Sequence, residues 1–139
     1  MLARNSFEYA IIRIVPRVER GEFVNAGVVL FSRPRRFLDA RVHLDPARLA
    51  ALAPDLDVTA VRSHLELIPR LCAGDGEAGP IARLSQAERF HWLVAPQSTI
   101  VQPSPVHSGL CDNPSDALER LLKTMVLPPM ASSSEPVAW

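Results

Sequence analysis

The chain has no excess of charge. Fifteen basic and fifteen acidic side chains cancel. A balanced chain exerts no global pull on nucleic acid or anionic membrane, and leaves only a local patch to do so. Cysteine is scarce: Cys72 and Cys111 are far apart and belong to no metal-ligand spacing. With no leader legible at the N-terminus, they are expected to be reduced thiols of a cytoplasmic protein. The apolar runs are too short, and too often broken by charge or proline, to span a bilayer. No internal repeat is visible. No G-x-S-x-G elbow or oxyanion loop marks a nucleophile. Proline is abundant instead, with thirteen, many at candidate element boundaries. At 139 residues and 47% hydrophobic, the chain is sized for one domain with a real core.

One stretch organises the rest. Tyr9 to Phe31 reads YAIIRIVPRVERGEFVNAGVVLF: two apolar runs around the charged turn Glu19-Arg20-Gly21-Glu22. Strands are expected over Glu8–Val15, Phe23–Ser32 and Phe37–Leu44. The connections are too short for crossovers, so the three form an antiparallel meander. Tyr9, Ile11, Arg13 and Val15 share one face of the first strand; Asn25, Gly27, Val29 and Phe31 share one face of the second. Helices follow. Asp45 and Asp57 read as N-caps, and Val58, Val61, Leu65 and Ile68 recur at helical spacing. Pro69 should kink or end that helix. Gly74–Pro80 reads as a mobile loop. Ser85 and Glu88 form a capping box before Phe90-His91-Trp92. Ser98–Gly109 is expected to return to the sheet and bring His107 near Glu22 and Asn25. Asn113-Pro114 opens the last helix, whose apolar side carries Ala117, Leu118, Leu121, Leu122, Met125 and Val126. The expected architecture is α+β: an antiparallel sheet beginning with a three-stranded meander, helices packed on one face. Residues 1–127 form the domain and 128–139 a disordered tail.

Three polar constellations stand out. The first is Arg13, Glu22 and Asn25 with Gly27. Arg13 offers a planar fork for phosphate or carboxylate, and Asn25 a donor and an acceptor. Glu22 is an acid/base group or a partner for Arg13. A structural reading stands beside this: Arg13 pairs with Glu22, Asn25 serves a bulge, and Gly27 makes room for an aromatic such as Trp92. The second is Phe90-His91-Trp92 with Ser98, Thr99, Gln102, Ser104, His107 and Ser108, dense in hydroxyl and imidazole. These residues would bind phosphate or a partner, or simply satisfy the backbone of a proline-broken segment. The sixteen residues from His91 to His107 are no known metal-ligand spacing. The third is Arg33, Arg35 and Arg36 with Arg41 and Arg48, which reads chiefly as a solvated turn.

The strings YAIIRIVP, RGEFVNAGVVLF and ERFHWLVAPQSTIVQPSPVHSGL resemble a bacterial family catalogued as domain of unknown function 3037, over Tyr9 to Val126. The resemblance implies genomic company rather than chemistry: its members are often encoded beside kinases resembling the HipA toxin kinase. The leading expectation is an accessory or regulatory binding protein whose partner is a protein, such as a HipA-like kinase. No cofactor, metal, nucleic acid or membrane is expected. The alternative is a small phosphoester-acting enzyme or nucleotide-binding domain using Glu22, Asn25, His91 and His107, provided those four side chains meet.

Overall fold

The computed structural model describes residues 4–97 and 99–129. The sequence places Ile, Val and Leu on both sides of its first two strands, which suits strands covered on both faces. β1 (Asn5–Ile14) is central. It pairs antiparallel with β2 (Val24–Ser32), and β2 pairs antiparallel with β3 (Phe37–Val42). The expected meander is there. On its other side β1 takes β4 (Val101–Pro103) and β5 (His107–Cys111), end to end along one edge. The β5 pairing explains why β1 starts earlier than Glu8: Asn5–Tyr9 find partners only from a distant segment.

Two register breaks shape the sheet. Ile12 faces Gly27 but Arg13 faces Asn25, so Ala26 is an extra residue, a β-bulge. The bulge turns Asn25 away from Gly27 and onto the face of Arg13, against the expectation that Asn25 and Gly27 share a side. The second break lies between Ile12↔Pro103 and Tyr9↔His107. Ser104 fills it. Its N–H donates to the Ile11 carbonyl at 2.7 Å, and its Oγ accepts the Ile11 N–H at 2.8 Å. A hydroxyl thus stands in for a ladder carbonyl.

The first face carries Ala10, Ile12, Ile14, Val29, Phe31, Leu38 and Ala40. It is covered by α1 (Pro46–Leu52), α2 (Val58–Ala73) and α3 (Gln86–Leu93), through Leu49, Leu65, Ile68, Phe90 and Leu93. Asp45, Asp57 and Ser85 cap these helices as their sequences require. Pro69 does not end α2, which continues to Ala73 and closes on Gly74 at φ +75°. Part of Gly74–Pro80 is a short 3₁₀ turn, capped by Asp75.

The opposite face is not left open. Phe7, Ile11, Val28 and Leu30 pack under α4 (Pro114–Leu121) and a π-turn, Leu122–Val126. The expectation of helices on one face is corrected: α1–α3 lie on one side and α4 on the other. Arg41 on β3 pairs with Glu119 on α4 and ties this second layer down. The fold is α+β. No described helix is long and apolar enough to cross a membrane. Residues 130–139, most of the expected tail, lie outside the described residues.

Candidate functional site

Cross-strand partners point to the same face of a sheet. Gln102, Arg13 and Asn25 therefore form a polar row across β4, β1 and β2, beside the π-turn. Arg13 is half-buried. Its guanidinium carbon lies 4.2 Å from the centre of the Phe23 ring, a cation–π contact. Phe23 itself is 45% exposed. Among the described residues, no carboxylate lies within ion-pair distance of Arg13.

Asn25 donates its amide to the Met125 carbonyl at 3.0 Å. That carbonyl lies at the end of the π-turn, where Pro128 and Pro129 have no N–H to offer it. Asn25 is the substitute donor. Among the described residues, its Oδ1 and the Arg13 Nε are both buried without a hydrogen-bond partner, an unusual pair in neighbouring positions. π-turns often sit at functional sites, and here one meets the Asn25 side chain through the Met125 carbonyl. Gln102 is fixed on the far side by donating to the Thr99 carbonyl at 2.7 Å.

The other candidates do not join this row. Glu22 pairs with Arg20 rather than Arg13, and that contact pushes the Arg20 pKa further up. His107 is exposed on β5, its ring 5.3 Å from that of Tyr9. It shares the face of Arg13, but Tyr9 and Arg13 are four residues apart along β1, about 13 Å, with buried Ile11 between them. His107 returns to the sheet as expected, yet not beside Glu22 or Asn25. His91 is exposed on α3, over the opposite face. Ser104 is buried in the sheet edge, its hydroxyl also donating to the Pro105 carbonyl at 2.9 Å; its bonds are architectural. Ser98 lies outside the described residues.

Gly27 serves neither ligand nor aromatic. A Cβ there would meet the Arg41 carbonyl at 2.7 Å, so the space belongs to the β3 backbone. Trp92 is 44% exposed rather than core. It lines a small groove, ≈ 40 Å³, with Ile12, His64, Leu67, Gln97 and Pro103. A wider cleft between the β1–β2 turn and α1 carries Arg17, Arg20 and Glu22; Arg20 is paired with Glu22, and Arg17 with Asp55. The arginine cluster divides as well: Arg41 holds Glu119, and Arg35 donates to the Asp112 carbonyl at 3.1 Å. Both cysteines are free and buried. Burial pushes the Cys72 thiol up to about 12, so it is not a ready nucleophile. Among the described residues, no three His, Cys, Asp or Glu side chains gather as a metal site.

Reasoning from residue types found Arg13 and Asn25, missed Phe23, and grouped Gln102 with the histidines rather than with Arg13. The signal for Phe23 was its position after the turn, exposed at the start of a strand; the signal for Gln102 existed only in the β1–β4 register. Chemically the row offers a guanidinium, two amides and an aromatic ring. It holds no carboxylate, thiol or hydroxyl to move a proton, and suits the binding of an anionic group. No curated protein and no solved structure matches this chain. A family model does match, over residues 9–126, and the chain belongs to that family, described as protein of unknown function (DUF3037).

Proposed function

We propose that the protein is an accessory or regulatory binding module that engages another protein through the Arg13 row. The observation that carries this reading is a half-buried guanidinium, stacked on an exposed phenylalanine, with no acidic partner among the described residues. Partial burial of a cation is costly unless something compensates it. A carboxylate or phosphate on a partner would do so, through charge-assisted, forked hydrogen bonds. Exposed Phe23 and Met125 flank the row and supply apolar contact. The partner proposed is a kinase resembling HipA, met in the cytoplasm, on the strength of the genomic company that the family resemblance implies. The phosphoester-acting alternative needs Glu22, Asn25, His91 and His107 in one place. They lie on different elements and on both faces, which favours binding over catalysis.

The test is affinity capture of partners with the wild-type chain and with Arg13→Gln, read by mass spectrometry, followed by direct titration of the captured protein. Gln keeps hydrogen-bonding capacity and removes charge. The expected result is a loss of at least about tenfold in affinity, about 1.4 kcal/mol, with the melting temperature unchanged. A partner bound equally well by Arg13→Gln would overturn the reading.

A further inference from the structure

Among the described residues the sheet has three edge segments that pair on one side only, β3, β4 and β5, and they are not equivalent. Ile11 directs both its N–H and its carbonyl at Ser104, toward the β4–β5 side. Antiparallel strands alternate, so Tyr9, Phe7 and Asn5 do the same, and exchange hydrogen bonds with His107, Gly109 and Cys111. The backbone groups of Ser108 and Leu110 then point outward. By the same alternation Val101 and Pro103 point outward from β4, and Leu38, Ala40 and Val42 from β3.

Two of these segments are blocked by their own chemistry. On β4, Pro103 has no N–H, nor has Pro105 just beyond it, and the Val101 carbonyl accepts the Thr99 hydroxyl at 2.7 Å. On β3, the Asp39 carboxylate accepts the outward Ala40 N–H at 2.8 Å. Prolines, inward-turned charges and occupied amides are the usual means of keeping an edge from recruiting a strand. β5 has none of them. Among the described residues nothing bonds the outward groups of Ser108 or Leu110, and Leu110 is the most exposed large hydrophobic side chain, at 58%.

The geometry points to a second copy of this chain as the occupant of that edge: β5 pairs antiparallel with β5 of another copy about a two-fold axis at Gly109. The outward residues, 108 and 110, are symmetric about 109. Such an axis sets Ser108 opposite Leu110 of the second copy, and Leu110 opposite its Ser108. Every outward N–H and carbonyl of the pair is then matched, which is the self-complementarity an isologous contact requires. Gly109 falls at the non-bonded crossing point, where backbones approach most closely. The two Leu110 side chains lie on one face at diagonal positions, within reach of each other. Two sheets become one continuous sheet.

Light scattering of the full chain over a concentration series tests this, with Ser108→Pro and Leu110→Glu. Proline at 108 removes an N–H that β1 does not use; glutamate at 110 alters only an exposed side chain. The expected result is a mass that rises toward twice the monomer for wild type, and a dissociation constant raised about tenfold or more in both variants, with unchanged circular dichroism. If Ser108→Pro fails to fold, Leu110→Glu decides alone. A wild type monomeric at every concentration overturns the inference. So does a dimer that the variants leave intact, or a monomer that takes up an unrelated extended peptide along the edge instead.

Discussion

Arg89 is 9% exposed and has no acidic partner among its hydrogen bonds. It reaches from α3 to the end of α2, where Nη1 donates to the carbonyls of Leu71 at 2.9 Å and Cys72 at 2.7 Å. Its Nε donates to the Leu84 carbonyl at 3.0 Å. The last carbonyls of a helix have no partner within the helix, and a cation there also meets the negative end of the helix dipole. One side chain therefore closes α2 and fastens it to the segment before α3. Arg89→Met keeps the stem volume and removes all three bonds. A buried acceptor left unsatisfied costs about 1–3 kcal/mol. Leu71 keeps a second donor in the Gly74 N–H, at 3.2 Å, and water can reach the part-buried Leu84 carbonyl, so the Cys72 carbonyl carries most of the penalty. The expected loss is about 1–3 kcal/mol, a sizeable share of a domain's usual 5–15 kcal/mol. Urea unfolding should show a lower midpoint with an unchanged slope. Hydrogen exchange should quicken first between Leu71 and Leu84. Arg89→Lys should recover only part of the loss, because one ammonium cannot span both directions. A loss below about 1 kcal/mol for Arg89→Met would mean that water replaces the guanidinium, and would refute the reasoning.

Ser104→Ala should cost about 1–3 kcal/mol in urea unfolding, because it strands the buried Ile11 N–H; a neutral result would show that the segment between β4 and β5 rearranges freely. Asn25→Ala should cost about 1 kcal/mol by leaving the Met125 carbonyl without its donor, whereas His107→Ala should stay within about 0.5 kcal/mol, as an exposed side chain. Both are checked in the same unfolding series. The Cys72 thiol is raised by burial from 9.0 to about 12. The folded state holds the proton that the unfolded state releases. Its contribution is thus fully present below the unfolded pKa and declines between about pH 9 and about pH 12, at up to about 1.4 kcal/mol per pH unit. Alkaline unfolding of Cys72→Val should lack that share of the decline, and a thiol reagent should label native Cys72 only as the chain opens.

The local grammar of the chain was legible. Asp45, Asp57, Ser85 and Asn113 cap the helices they were expected to cap, and the short turns after Val15 and Ser32 do produce a meander. The family strings were legible as well. Side-chain alternation could be read within β1, because Tyr9, Ile11 and Arg13 run unbroken. It failed at Asn25, because a period of two cannot reveal an extra residue, and Ala26 is one. The second helical layer was foreshadowed by Val28 and Leu30, apolar on the side opposite Val29 and Phe31, yet nothing local says which helix covers them. Trp92 and Arg89 inverted the usual burial of their types. Their positions follow from how α3 meets α2, which is set by contacts far apart in the chain. The candidate row was half legible for the same reason: Arg13 and Asn25 are unusual in their strands, while Gln102 and Phe23 become its neighbours only through register.

The central place of β1 has a consequence for the order in which the molecule assembles. Its bonds to β2 close over a short turn, whereas Ile11 meets Ser104 across 93 positions of chain, and Asn5 meets Cys111 across still more. Closing a loop of that length is entropically costly and slow, while the hairpin forms early. During synthesis the meander is complete long before Val101 leaves the ribosome. Throughout that interval one side of β1, including Arg13, Ile11 and Phe7, is an unpaired strand edge. The arrival of β4 and β5 is thus the step that both finishes the sheet and ends the nascent chain's exposure to wrong partners.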